Sequence, residues 1–125
     1  MIPAPLDIVI KRGDTFRQFF RLRFKDANGD PGDYPDLTTW GTGASQVRLT
    51  TEEADPPLIE LVVTKANQAL YPGGILLSIP SATTRDLPLT PVAVWDFEIE
   101  NDLGETDTYL AGAASVVADV TRETP

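Results

Sequence analysis

The chain has 125 residues, 42% hydrophobic and 23% charged, the balance of one globular domain with material for one core. Ten Lys and Arg stand against nineteen Asp and Glu, a net charge of −9, which argues against non-specific binding to nucleic acid or to anionic membrane surfaces. There is no Cys and no His, which removes disulfides, thiolate chemistry, Cys-ligated metal, the commonest general base and the commonest zinc ligand.

Met1 to Pro5 reads as an extended arm, because Pro3 and Pro5 deny it a continuous ladder. With Ile2, this stretch is expected to drape on a neighbouring chain. The first residues lack a positive region followed by an apolar one, so no signal peptide is expected. No apolar run approaches the roughly 20 residues needed to span a bilayer. Leu6 to Ile10 is a first short strand. Lys11 to Thr15 is a turn around Gly13, and its Arg12-Gly13-Asp14 tripeptide is explained by that turn without invoking integrin binding.

Phe16 to Phe24 alternates as a strand does. Phe16, Gln18, Phe20, Leu22 and Phe24 share one face, and Arg17, Phe19, Arg21 and Arg23 share the other. The arginines are expected to pair across strands with Asp96, Glu98 or Glu100, or to meet a partner. Lys25 to Gly43 is a long loop rich in Asp. Asp26, Asn28 and Asp30 imitate the first half of a calcium loop, but Pro31 stands where Gly is needed and Leu37 where the bidentate Glu belongs. A tight turn at Asn28-Gly29 and no metal are therefore expected. Trp40 is expected to plug one end of the domain.

Ala44 to Thr51 is a strand with Val47 and Leu49 inward. Leu58 to Thr64 places Ile59, Leu61 and Val63 on one face, and Gly74 to Ile79 places Ile75, Leu77 and Ile79 inward. Between them lies a turn at Pro72-Gly73. Ser81 to Leu87 suits one helical turn capped by Ser81. Val92 to Leu110 reads as a β-hairpin around Asn101 to Gly104, with Ala93, Trp95, Phe97 and Ile99 on the dry face. It is expected to form the centre of a sheet. Ala114 to Thr121 reads as a last strand.

The strands, evenly spaced and punctuated by 11 Pro and 9 Gly, predict an all-β, antiparallel, immunoglobulin-like sandwich of about seven or eight strands. One domain spans residues 6–122, between the arm at 1–5 and a tail at 123–125. No catalytic residue is assigned. Asp96, Glu98 and Glu100 lie roughly 6 to 7 Å apart along one strand face, near a glycosidase span, but alternating acids on a wet face are ordinarily just solvated. No phosphate loop, serine elbow or metal ligand set is present.

Several landmarks occur in a familiar order: Ile10 to Phe16 (IKRGDTF), Asp30-Pro31, Pro35 to Trp40 (PDLTTW), Gln46 to Leu49 (QVRL), Ile79 to Thr84 (IPSATT), Val94 to Ile99 (VWDFEI), Leu110 to Gly112 (LAG) and Val120 to Arg122 (VTR). This order, spanning nearly the whole chain, resembles small structural proteins of tailed-phage virions. The pattern is similar to the amino-terminal immunoglobulin-like domain of upper baseplate proteins. Thr39 stands where that pattern has Gly, Trp95 where it has Tyr, and Tyr34-Pro35 lengthens the loop. The resemblance implies a non-enzymatic virion component in the tail, baseplate or fibre adaptor, made in the host cytoplasm. Its partners would be other virion proteins and copies of itself, with no cofactor, nucleic acid, membrane or small-molecule substrate. Contacts are expected from Ile2, Pro3 and Pro5 of the arm, from Tyr34 and Trp40 of the loop, and from Arg17, Arg21 and Arg23. The alternative is a carbohydrate-binding or host-surface adhesion module using Trp40, Tyr34 and Tyr71.

Overall fold

The computed structural model describes residues 3–25, 27–50 and 57–118. The order is β1 (Ala4–Pro5), β2 (Ile8–Lys11), β3 (Phe16–Arg21), β4 (Ala44–Arg48), β5 (Ile59–Glu60), β6 (Val62–Lys65), β7 (Gly74–Ile79), α1 (Ser81–Arg85), β8 (Thr90–Glu100) and β9 (Thr106–Val117). The nine strands form two sheets. The larger has six strands in the order β1-β9-β8-β4-β5, with β2 also on β9; the smaller runs β3-β7-β6. The two enclose one core, a β-sandwich.

The alternation in β8 sets the larger sheet. Ala93, Trp95, Phe97 and Ile99 are all buried, and β8 sits between β9 and β4 at the sheet's centre. In the smaller sheet Ile75, Leu77 and Ile79 face inward from β7. The layers meet where the Phe20 ring packs edge-on against Phe97, centroids 5.1 Å apart.

Several expectations are corrected. Ala4 and Pro5 do not form a free arm: they pair in parallel with Leu110 and Ala111 of β9. The edge position tolerates Pro5, and the next amide, of Leu6, supplies the bond to the Ala111 carbonyl at 3.0 Å. Met1 and Ile2 lie outside the described residues, so the expectation for Ile2 has no structural counterpart. The sandwich is not wholly antiparallel, since β1 and β2 both run parallel to β9. The strand that begins at Phe16 ends at Arg21 rather than Phe24. The hairpin's second strand and the expected last strand are one continuous β9, which absorbs a register shift opposite Phe97 and Glu98.

The stretch from Leu58 to Thr64 is two strands, not one. Ile59 pairs with Val47 in the larger sheet and Val62 pairs with Ser78 in the smaller. The chain crosses at Leu61, whose amide donates to the Ser45 carbonyl and whose side chain stays buried. Leu49 lies past the end of β4 and is 49% exposed; Ser45 takes the inner position instead, donating its hydroxyl to the Asp96 carbonyl. The N-cap of α1 is Pro80, with no side-chain cap, so Ser81 does not have that role.

Candidate functional site: a groove between the two sheets

The arginines of the second strand do not meet the acids of β8. β3 lies in the smaller sheet and β8 in the larger, so their outer faces point to opposite sides of the sandwich. Arg21 and Arg23 instead gather on Tyr34. The Arg21 guanidinium lies 3.7 Å from the Tyr34 ring centroid and that of Arg23 5.0 Å, so one ring serves both cations. Each is fixed again by a backbone carbonyl: Arg21 Nε donates to Pro72 at 3.1 Å, and Arg23 Nε donates to Gly32 at 2.7 Å.

Beside this cluster a groove of about 520 Å³ opens between β1 and β9 of one sheet and the end of β3 in the other. Phe20, Leu22, Phe24, Tyr109 and Leu110 give it apolar walls. Ala4 closes the β1 side, and Arg21, Arg23 and Lys25 complete the β3 side, with the Arg21 and Arg23 guanidinium groups turned onto Tyr34. Burial, with Asp107 and Glu105 nearby, pushes the Tyr109 phenol above its ordinary value, so it lines the groove as a neutral group.

An aromatic stack supports the floor. Trp40 stacks on Phe24 with centroids 6.2 Å apart, and Tyr109 touches both rings. Lys65 Nζ holds the Trp40 carbonyl at 2.6 Å. The loop that carries Tyr34 and Trp40 is held by two devices. Asp36 accepts from the Thr38 amide and hydroxyl, bonds that pull its carboxyl below the usual value, side-chain bond first. Gln68 accepts from the amides of Leu37 and Gly73 and donates to the carbonyls of Ala66 and Gly74. Leu37, the residue that breaks the calcium pattern, is fully buried in the core. Asp26 lies outside the described residues.

Of the sequence-predicted contact residues, then, Tyr34, Arg21 and Arg23 converge, and Trp40 joins them through Phe24. Pro3 and Pro5 flank Ala4 at the groove's edge. Arg17 stands apart: it lies opposite Ser78 in β7, and Ser78 lies opposite Val62 in β6. Lys25 and Gln68 were missed. Lys25 continues the alternation of Arg21 and Arg23 by one more step, a signal present in the sequence. Gln68 carries no such signal, because its four partners come together only in the fold.

Asp96 and Glu98 of β8 line a second, smaller concavity of about 410 Å³ on the larger sheet's outer face, shared with Gln46 and Arg48. Partial burial raises the Asp96 carboxyl above its ordinary value, against the pull of the Arg48 guanidinium.

Neither any protein-family model nor any curated protein matches the chain. Among solved structures, an internalin-like protein of Listeria monocytogenes is distantly similar: 17% identity, TM-score 0.36, covering 94% of this chain and 28% of that one. A chain from a chaperone–tip adhesin complex of CFA/I fimbriae is similar at 13% identity and TM-score 0.27, covering 95% of this chain and 54% of that one. The chain thus spans well under two thirds of either protein, and at these TM-scores neither likeness bears on what it does.

Proposed function

We propose that the chain is a non-enzymatic structural component of a tailed-phage virion, made in the host cytoplasm and working through protein–protein contacts. The observation that carries the contact role is the groove, whose apolar walls suit a protein segment of complementary shape. The virion setting rests on the order of the sequence landmarks from Ile10 to Arg122. The reading assigns no catalytic residue and no cofactor. Its partners are other virion proteins and copies of the chain itself, rather than nucleic acid, membrane or a small-molecule substrate.

The adhesion alternative has less support. Trp40 is stacked on Phe24 and Tyr34 carries two guanidinium groups, so both rings already serve intramolecular contacts. Tyr71 is half exposed but packs edge-on against Phe19. Mass spectrometry of purified particles from the phage that encodes the chain tests the proposal. Presence in many copies per particle is expected, and absence from washed particles would overturn it.

A further inference from the structure

The two sheets meet differently on their two sides. On one side the chain itself closes the sandwich, where it crosses from β5 to β6 and the Leu61 amide donates to the Ser45 carbonyl. On the other side both sheets end in edge strands, β1 in the larger and β3 in the smaller, and the groove lies between them.

β3 leaves a row of backbone groups open there. The Leu22 amide donates to the Gly73 carbonyl at 2.8 Å, which sets the phase of the antiparallel ladder: Phe16, Gln18, Phe20 and Leu22 direct their main-chain groups at β7. Those of Arg17, Phe19 and Arg21 therefore point the other way, and no backbone group of the described residues bonds to them. The Phe19 carbonyl takes a bond from the side-chain amide of its neighbour Gln18, at 3.1 Å. An edge with open donors and acceptors is a template for a further strand. The β1 edge is not. The Leu6 amide bonds to the Ala111 carbonyl, so Ala4 and Leu6 face β9 and the outward positions fall to Pro3 and Pro5, which have no amide hydrogen to donate.

Building on the reading of the groove as a contact surface, we propose that its occupant is an extended segment of a partner protein, added to β3 as a fourth strand of the smaller sheet. Main-chain bonds at Arg17, Phe19 and Arg21 hold the segment, and its inward side chains meet Phe20, Leu22, Tyr109 and Leu110. The occupant is therefore apolar at every second residue and carries no proline where its amides face β3. The β3 edge of a second copy fits poorly. Antiparallel pairing centred on Phe19 would set each Arg17 opposite an Arg21, like charges face to face.

The test uses the isolated full chain and a synthetic peptide of alternating threonine and valine, about seven residues long, with a glutamate at each end for solubility. Amide resonances are followed by NMR at peptide concentrations up to about 1 mM, where weak binding is populated. Saturable shifts and slowed hydrogen exchange are expected at the Arg17, Phe19 and Arg21 amides. Two further peptides are N-methylated, one at its threonines and one at its valines. The first loses its bonds to β3 in an antiparallel pairing and the second in a parallel one, so one of the two should bind at least about tenfold more weakly and the other like the parent. Arg17→Pro, which removes an open amide and no bond to β7, should weaken binding while keeping the melting temperature within a few degrees. The methylated peptides act on the unaltered chain, so the outcome does not depend on that variant folding. Absence of saturable shifts, shifts centred elsewhere, or equal binding by the two methylated peptides would each overturn the proposal. A chain present in purified particles whose β3 edge ignores the peptide keeps the virion reading and loses the added strand. A chain absent from particles whose edge binds the peptide does the reverse.

Discussion

The indole Nε1 of Trp95 donates a 2.7 Å hydrogen bond to the backbone carbonyl of Leu6, 89 residues earlier in the chain. The two are brought together by Gly112. It lies opposite Trp95 in β9, and a Cβ at that position would overlap the Leu6 carbonyl. The first strands are thereby fastened to the centre of the larger sheet, where the sequence suggested a detachable arm. Trp95→Phe keeps most of the apolar burial but leaves the Leu6 carbonyl without its donor. It should cost about 1 to 3 kcal/mol. Trp95→Ala should cost about 3 to 5 kcal/mol. Deleting residues 1–6 should lower the melting temperature of the isolated domain, and an unchanged value would refute the fastening.

Thr84 pins the turn after β2 to α1. It is fully buried, accepts from the Gly13 amide at 3.1 Å and donates to the Asp14 carbonyl at 2.7 Å. Thr84→Val keeps the shape and strands both backbone groups. Chemical denaturation should show a loss of roughly 1 to 3 kcal/mol. Thr84→Ser should recover most of it, and a loss equal to that of Val would show that the methyl rather than the hydroxyl matters.

Gln68 clamps the Tyr34–Trp40 loop to the turn before β7. Gln68→Leu removes four hydrogen bonds and should cost at least about 2 kcal/mol. Tryptophan fluorescence should report a changed environment at Trp40, best read in a chain where Trp95 is replaced by Phe. A spectrum and stability matching the parent would dismiss the clamp.

Asp96 ionises at a cost in the folded state. Its folded pKa is raised above the ordinary value of 3.8, so the native state holds the proton more tightly than the unfolded chain does. This group's contribution therefore makes the fold less stable as pH rises through the interval between the two values, with the full penalty present above the folded value. Asp96→Asn should raise the melting temperature at neutral pH by a modest amount, since the group is partly exposed. The gain should vanish below pH 3.8. A gain that persisted there would assign the effect to packing.

Much of this architecture was legible along the chain because burial enforces period two. Ala93 to Ile99 and Ile75 to Ile79 face inward as their alternation requires. Alternation reports a face, however, and is silent on the sheet. It could not reveal that Ile59 and Val63, both inward, belong to different sheets joined at Leu61. For the same reason the arginines of β3 and the acids of β8 looked like partners while lying on opposite outer faces. Proline content suggested an arm at Met1–Pro5, whereas a parallel edge position accommodates Ala4 and Pro5. The site was half visible: Arg21, Arg23 and Tyr34 of the cluster stood out by type, but the groove walls at Tyr109 and Leu110 come from a strand about 90 residues away.

The groove between β1, β9 and the end of β3 is proposed above as the surface by which this chain joins its assembly. The most direct measurement is particle incorporation of the Arg23→Glu, Lys25→Glu double variant, with its melting temperature recorded alongside. A melting temperature within a few degrees of the parent is expected, as for exposed substitutions, together with near-complete loss of the protein from purified particles. A folded double variant incorporated at the parental copy number would contradict it.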